Sequence, residues 1–294
     1  MKLELKEFYY KKQYDCDIIL LDGLWGCGKT LFQLVISSLR DLEDAKIEEI
    51  FEQIIILNYL DKIDDKSTSL ILSNYIDLLM HKSLLGRSSN MRMDDDTGFK
   101  NSINKIKRIL NLFRSEEEIL IPEKIKDKGL VLMTHQLACS PFFITNLLKE
   151  RLFIIEILRH PVYMFFHVAS YFERFEHARV KTISFNYNEK RIPWFYKEII
   201  ESINIYESNP YNKAVEYIYF LNLKIWENIN ILLDKNINIY PIGMEQFALN
   251  TNQYLDEICQ FLARSRTKFT KKALLKSKLP RKLIHGGLGL KKYG

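Results

Sequence analysis

The sequence predicts an α/β fold, three layers deep, with a central parallel sheet and helical insertions. Three observations predict it. Short apolar runs such as Asp17–Asp22 (D-I-I-L-L-D) read as strands buried on both faces, as in parallel sheets. A glycine-rich turn follows this first run and opens directly into a stretch with helical spacing. Further buried runs then alternate with helical stretches, the sequence form of right-handed crossovers.

In chain order, Leu31, Leu34, Val35, Ser38 and Leu39 recur at helical spacing and predict a helix to about Arg40. From about Leu42 to Leu120 the pattern is helical and charged, and a mainly helical insertion is expected over about 42–125. The polar run Gly86 to Gly98 interrupts it as a loop. Gly129–Met133 reads as a second buried strand and Leu152–Leu158 as a third, with a helix around Pro141 to Glu150 between them. Phe185 to Pro210 is aromatic-rich and irregular. A long helix is expected over Ala214 to Leu233, a fourth strand over Ile237 to Ile242 and a helix over Gln253 to Leu262. With no internal repeat and no low-complexity linker, 1–294 reads as one α/β domain with a basic C-terminal segment, 264–294.

Composition bounds the function. The 294 residues are 47% hydrophobic and 27% charged, which excludes a disordered, collagen-like or low-complexity chain. No run approaches the roughly 18 uninterrupted apolar residues of a membrane span. The richest stretch, Leu152 to Phe172, carries Glu156, Arg159, His160 and His167. Met1 to Glu7 has acidic residues and no apolar core, so the reading is a cytoplasmic protein. Cys16, Cys27, Cys139 and Cys259 are too scattered for a disulfide framework or a metal site. The net charge of +6 is unevenly placed. From Arg264 onward there are eleven Lys or Arg and no acid, so all 37 acidic residues lie before it. This segment is either a solvated tail or a strap over a polyanion. Its only aromatic residues are Phe269 and Tyr293, too few for a nucleic-acid binder, which places aromatics among its cations.

Gly23-Leu-Trp-Gly-Cys-Gly28-Lys29-Thr30 fits G-x-x-x-x-G-K-[ST] after a strand and at the opening of a helix, which makes the fold P-loop-like. Such a loop wraps an anion in backbone N–H groups, and the helix start adds partial positive charge. Gly23, Trp25, Gly26, Cys27, Gly28, Lys29, Thr30 and Leu31 are therefore candidate ligand-binding residues. Read literally, the text is that of a kinase or ATPase holding Mg²⁺ through Lys29 and Thr30, and the acid on offer is Glu156, inside a strand. Trp25 either stacks on a nucleotide or packs. Trp194, Phe195 and Tyr196 read as core.

The order of further motifs resembles the sulfotransferase superfamily, which uses 3′-phosphoadenosine 5′-phosphosulfate (PAPS). Cys27-Gly28-Lys29-Thr30 falls where the family has its S-G-T-T loop, and Met133-Thr134-His135 is similar to its K-T-H. Ile157 to Pro161 resembles its strand ending in R-x-P. Gly243 to Ala248 with Tyr254 to Leu262 resembles its closing unit, and Arg281-Lys282-Leu283 to Gly286 resembles its R-K-G-x-x-G loop, with leucine in place of the middle glycine. The family's loop lysine sits two residues before its glycine; here that position is Gly26, and Lys29 either takes over the bridging-oxygen role or marks a nucleoside triphosphate loop. The family's serine eight residues after the arginine is here His167, with Ser170 one helical turn on.

The resemblance implies PAPS as cofactor, no metal, and His135 as general base, an imidazole being able to titrate near working pH. Without the resemblance, His135 is equally a strand-end histidine bonded locally. Lys29 is the second candidate catalytic residue. Arg159, His167, Ser170, Arg281 and Lys282 are the candidate 3′-phosphate ligands, since PAPS carries two anionic groups and arginine grips phosphate bidentately. The implied acceptor is a small molecule or glycan with a hydroxyl group, its specificity expected in the insertion and the Arg87 to Phe99 loop. No nucleic-acid partner is expected, and oligomeric state stays open.

Overall fold

The computed structural model describes residues 9–87, 90–92, 95, 97–102, 105–111, 113–120, 125, 127–140, 142–175, 182–202 and 209–282. Four parallel strands form its centre: β1 (Asp17–Asp22), β2 (Gly129–Met133), β3 (Leu152–Leu158) and, after a hairpin made of β4 (Ser184–Tyr187) and β5 (Lys190–Pro193), β6 (Ile239–Gly243). Their order is β2-β1-β3-β6. The first three match their predicted bounds. The fourth is shifted toward Gly243, because Ile237 is held in a turn, its N–H donating to Leu232 O.

The unbroken apolar runs follow from helices on both faces. Ile18, Leu20, Leu130, Leu132, Leu152 and Ile154 meet one core, which includes Phe51, Ile55, Leu72, Val168, Tyr217 and Leu221. Ile19, Leu21, Val131, Met133, Ile155 and Ile157 meet the other, with Phe32, Val35, Phe247, Leu255 and Ile258. Alternate side chains of each strand go to opposite layers. The first layer is built from α2 (Glu49–Tyr59), α3 (Asp65–Leu84), α6 (Phe142–Leu148), α7 (Pro161–Phe175) and α8 (Pro210–Asp234). The second holds α1 (Lys29–Ile36), α9 (Met244–Leu249), α10 (Thr251–Phe261) and α11 (Lys268–Lys276). The short helices α4 (Lys105–Asn111) and α5 (Glu116–Ile119) belong to the insertion. No helix among the described residues is long and apolar enough to cross a membrane.

Three expectations are corrected. α1 stops at Ile36, not near Arg40. There Ser38 turns its hydroxyl back to Val35 O, and the basic segment docks on the turn, with Thr267 Oγ1 donating to Ser38 O and Arg40 N to Ser265 O. The insertion does not begin as helix. Residues 42–46 run extended beside β2, Glu43 N donating to Gly129 O and Met133 N to Lys46 O, which covers an otherwise open sheet edge. Phe185 to Pro210 is also less irregular than predicted: β4 and β5 pair antiparallel across Asn188 and Glu189, both at positive φ (48° and 62°), the twist a two-residue hairpin turn requires. Trp194, Phe195 and Tyr196 then enter the core, as read from the sequence.

Candidate functional site

The carboxyl ends of β1, β2, β3 and β6 bring together the strand-end motifs, as expected for an open parallel sheet. The glycine loop leaves β1 at Gly23 (φ +143°), passes Gly26 (φ +79°) and enters α1 through Gly28 (φ +101°). These backbone angles disfavour any side chain. A Cβ on Gly23 would lie 2.5 Å from Ile157 O, and one on Gly26 2.9 Å from His167 Cδ2. The loop is thus wedged between β3 and α7. No side chain caps α1; the N–H of Leu31 turns back to Gly28 O, those of Lys29 and Thr30 are left for an anion, and Thr30 is exposed on that first turn.

Lys29 points the other way. Its Nζ donates to Gly23 O at 2.6 Å and Leu24 O at 3.2 Å, and lies 3.8 Å from Cys27 Sγ. Beneath it are two acids that the strand register sets side by side, Asp22 opposite Glu156. Asp22 spends both carboxylate oxygens, accepting from Thr134 Oγ1 (2.8 Å) and from Ala138 N (2.7 Å). Glu156 is 0% exposed and neither of its oxygens meets a hydrogen-bond donor of the protein. Burial first, and then the charge of Asp22, hold its carboxyl well above the usual carboxylate range, against the pull of Lys29. The burial of Glu156 opposite Asp22 thus favours the neutral form of its carboxyl. Burial also pushes the Cys27 thiol up.

Arg159, the residue after β3, reaches the outer side of the loop. Its Nη1 donates to Gly26 O at 2.6 Å, and its Nε lies 3.6 Å from Glu245 Oε1, too far for a hydrogen bond. Both of those atoms are buried without a hydrogen-bond partner. Burial draws the guanidinium below its usual range against the pull of Glu245, and the nearby charge of Arg281 acts in the same direction as burial. Arg281 is anchored through its own N–H to Ala248 O at 2.7 Å, and Lys282 beside it is exposed. Leu283 to Gly294, including the Gly286 of the C-terminal motif, lie outside the described residues. His167 packs on Gly26 and Tyr171, with ring centroids 5.0 Å apart in the latter pair. The Ser170 hydroxyl donates back to His167 O at 2.8 Å.

His135 follows β2 and sits beside the loop's first residue, the next N–H (Gln136) donating to Gly23 O at 3.3 Å. Its Nδ1 is 3.1 Å from Glu52 Oε1, on α2 of the insertion. A neutral ring that donates from Nδ1 to Glu52 keeps its lone pair on Nε2. Glu52 was not singled out from the sequence, and nothing in its helical context marks it. Glu245 carried a weak signal, an acid two residues past a strand end.

Trp25 does not line the anion site. Its ring is stacked between Tyr171 (5.1 Å, 15°) and Tyr217 (5.1 Å, 13°) and meets Phe195 edge-on (5.4 Å). The backbone N–H of Trp25 donates to Tyr217 Oη at 3.1 Å. Both faces of the indole are covered, which leaves none for a base. The loop is thus clamped from below by an aromatic stack and from above by Arg159.

No family model and no curated protein matches the chain. Among solved structures it is similar to a sulfotransferase domain from the curacin biosynthetic pathway, 15% identical with a TM-score of 0.46 over 89% of this chain and 78% of that one. It is also similar to a sulfotransferase domain from the Synechococcus PCC 7002 olefin synthase, 12% identical with a TM-score of 0.41 over 90% of this chain and 79% of that one. Both likenesses lie below the level at which a shared activity follows.

Two outcomes test this geometry. Folding binds the Glu156 proton more tightly than the unfolded chain does, so stability falls as pH rises above the unfolded value near ~4.3. Glu156→Gln keeps a donor toward Asp22 and removes the titration. Its melting temperature should equal the parent's at about pH 4 and exceed it at about pH 8, on the order of 2–4 °C for each ~1 kcal/mol recovered. Thermal melts at both pH values would contradict a neutral Glu156 if the variant were less stable at the higher one. Trp25→Ala should cost about 3–5 kcal/mol in urea unfolding, the loss of a fully packed aromatic; a loss under ~1 kcal/mol would put the ring outside the core.

Proposed function

We propose that this chain transfers a sulfuryl group from PAPS to a hydroxyl of a small-molecule or glycan acceptor, a carbohydrate or glycolipid among them, with His135 as general base. One observation carries the reading: a second cationic centre, Arg159, stands directly against the glycine loop at Gly26, with the charge of Arg281 near it. A ligand with two separated anionic groups uses both centres, and a lone phosphate leaves one idle.

The N–H groups of Gly26, Gly28, Lys29 and Thr30 would form the first anion cradle, those of Cys27 and Leu31 being spent on Leu24 O and Gly28 O. The orphaned, buried Nε of Arg159 is a donor awaiting an acceptor and fits the second. Lys29 does not fit the bridging-oxygen role in this arrangement, because Gly23 and Leu24 occupy its ammonium. Ser170 is likewise turned away by its bond to His167 O.

When bound, PAPS supplies an activated sulfuryl group on an acidic leaving phosphate. The protein's own contribution is positioning and charge, since in-line transfer through a loose transition state asks little covalent chemistry of the enzyme. Glu52 holds the His135 ring from Nδ1, and Nε2 takes the proton of the acceptor hydroxyl. Arg159 braces the loop carbonyl at Gly26 and keeps charge on its outer side. The aromatic stack under Trp25 fixes the height of the loop relative to α7.

The competing reading, a P-loop kinase or ATPase with Mg²⁺ between Thr30 and a strand-end acid, meets a specific obstacle. The acids in range are Asp22, whose oxygens are taken by Thr134 and Ala138, and Glu156, which is sealed from solvent with its carboxyl pushed toward the neutral form. Neither is presented to a cation beside Thr30.

Calorimetric titration separates the two readings: adenosine 3′,5′-bisphosphate without metal should bind tightly, and ATP with Mg²⁺ weakly. The reverse preference would sink the sulfuryl-transfer reading. Arg159→Ala should weaken bisphosphate binding about 10- to 100-fold, the loss of a charge-assisted bond of roughly 1.5–3 kcal/mol. His135→Ala should lower turnover by at least ~10²-fold with bisphosphate affinity nearly intact, the scale of a lost general base. Glu52→Gln should lower kcat by about tenfold or more while KM is kept, as when the partner that orients a catalytic imidazole is removed. Full turnover in His135→Ala would discard the base, and an unchanged kcat in Glu52→Gln alone would discard only its support.

A further inference from the structure

The helix α8 packs one face into the core through Ala214, Tyr217, Ile218, Leu221, Ile225 and Leu232. Its outer face should then be polar, and it is not. Tyr211, Val215, Tyr219, Leu223 and Trp226 are all exposed, between 47% for Tyr211 and 59% for Tyr219. Four of them, spaced by four residues, form a single i±4n ridge. At the Tyr211 end the apolar surface continues onto α7, which packs along α8: Phe165 meets Tyr211 with ring centroids 5.9 Å apart, and Val162 and Phe166 are exposed there at 67% and 54%. With four half-exposed aromatics and three aliphatics, this surface comes to roughly 700 Å², beyond the ~300–600 Å² patch of a typical monomer and near the ~800 Å² that each partner buries in a standard interface.

The order of side chains along the ridge says what fits it. Read outward from Tyr219, each direction presents first an aliphatic residue of the ridge (Val215, Leu223) and then an aromatic one, Tyr211 on the ridge and Trp226 beside its next position, Glu227. The ridge is therefore complementary to its own reverse. We propose that α8 is a homodimer interface, in which two copies of this chain cross their ridges about a two-fold axis at Tyr219. Ridges of this spacing interdigitate at about −50°. The isologous pairing sets Val215 on the partner's Leu223 and Tyr211 on the partner's Trp226, each contact occurring twice. A lipid surface is the poorer occupant. The helix carries Lys213 and Lys224 against Glu216, Glu227 and Asp234, with Lys224 already paired to Glu198, and an interfacial helix relies on a basic polar face.

Sedimentation of the full chain over a concentration series tests the pairing. The parent should approach twice the monomer mass. Tyr219→Lys places two like charges on the axis and should leave a monomer; because Tyr219 is already exposed, its thermal melt should stay close to that of a monomer with a native core. Val215→Lys and Leu223→Glu should each break the dimer singly. Together they should restore it, since each lysine then faces the partner's glutamate. A parent that stays monomeric at all concentrations overturns the proposal. So does a dimer that survives Tyr219→Lys, or a double variant no more associated than either single one.

Discussion

The ammonium of Lys29 donates to the carbonyls of Gly23 and Leu24, while its charge faces Asp22 and Glu156 below. The arrangement at the end of the sheet depends on this interaction. Parallel pairing of β1 with β3 forces the two acids into adjacent positions on one face, where two carboxylates cannot both ionise. Burial and the facing Asp22 push the Glu156 carboxyl toward its neutral form, against the pull of Lys29. The same lysine holds the carbonyls of Gly23 and Leu24 on the inner side of the loop.

Charge on the outer side is organised separately. The chain before Arg264 is acid-rich, and the cations after it dock back on the sheet's second layer. Arg264 pairs with Asp17 at the start of β1, and Thr267 caps α11 while bonding to Ser38 O. The docking brings Arg281 within electrostatic reach of Arg159, two cations whose proximity costs energy unless an anion lies between or beside them. Glu245 offsets part of that cost and does so imperfectly, at 3.6 Å with unsatisfied atoms on both partners.

The sheet was legible because a strand covered on both faces needs an uninterrupted apolar run, and β1, β2 and β3 each have one at their observed bounds. The loop was legible because only glycine tolerates the positive φ at Gly23, Gly26 and Gly28. Other features depend on information that periodicity lacks. Asn188-Glu189 turns a hairpin without the glycine that usually announces it. Residues 42–46 pair with an edge through backbone alone. A tryptophan in a loop suits a stack on a base or a stack in the core equally well, and only the positions of Tyr171 and Tyr217 decide for Trp25. The sequence names Lys29 but not its rotamer, so a residue expected to meet a ligand meets its own loop instead.

Glu52 marks the deeper limit. It lies 83 residues from His135 and meets it because α2 buries Phe51 and Ile55 in the first layer, which turns the next position along the helix toward the end of β2. Helical spacing predicts that Phe51 and Ile55 share a face, but it does not say which strand end that face will approach. The insertion is therefore more than a variable cover over a fixed site. Its first helix supplies the carboxylate that meets the strand-end imidazole at Nδ1, so a change in how the insertion packs would move His135 as well.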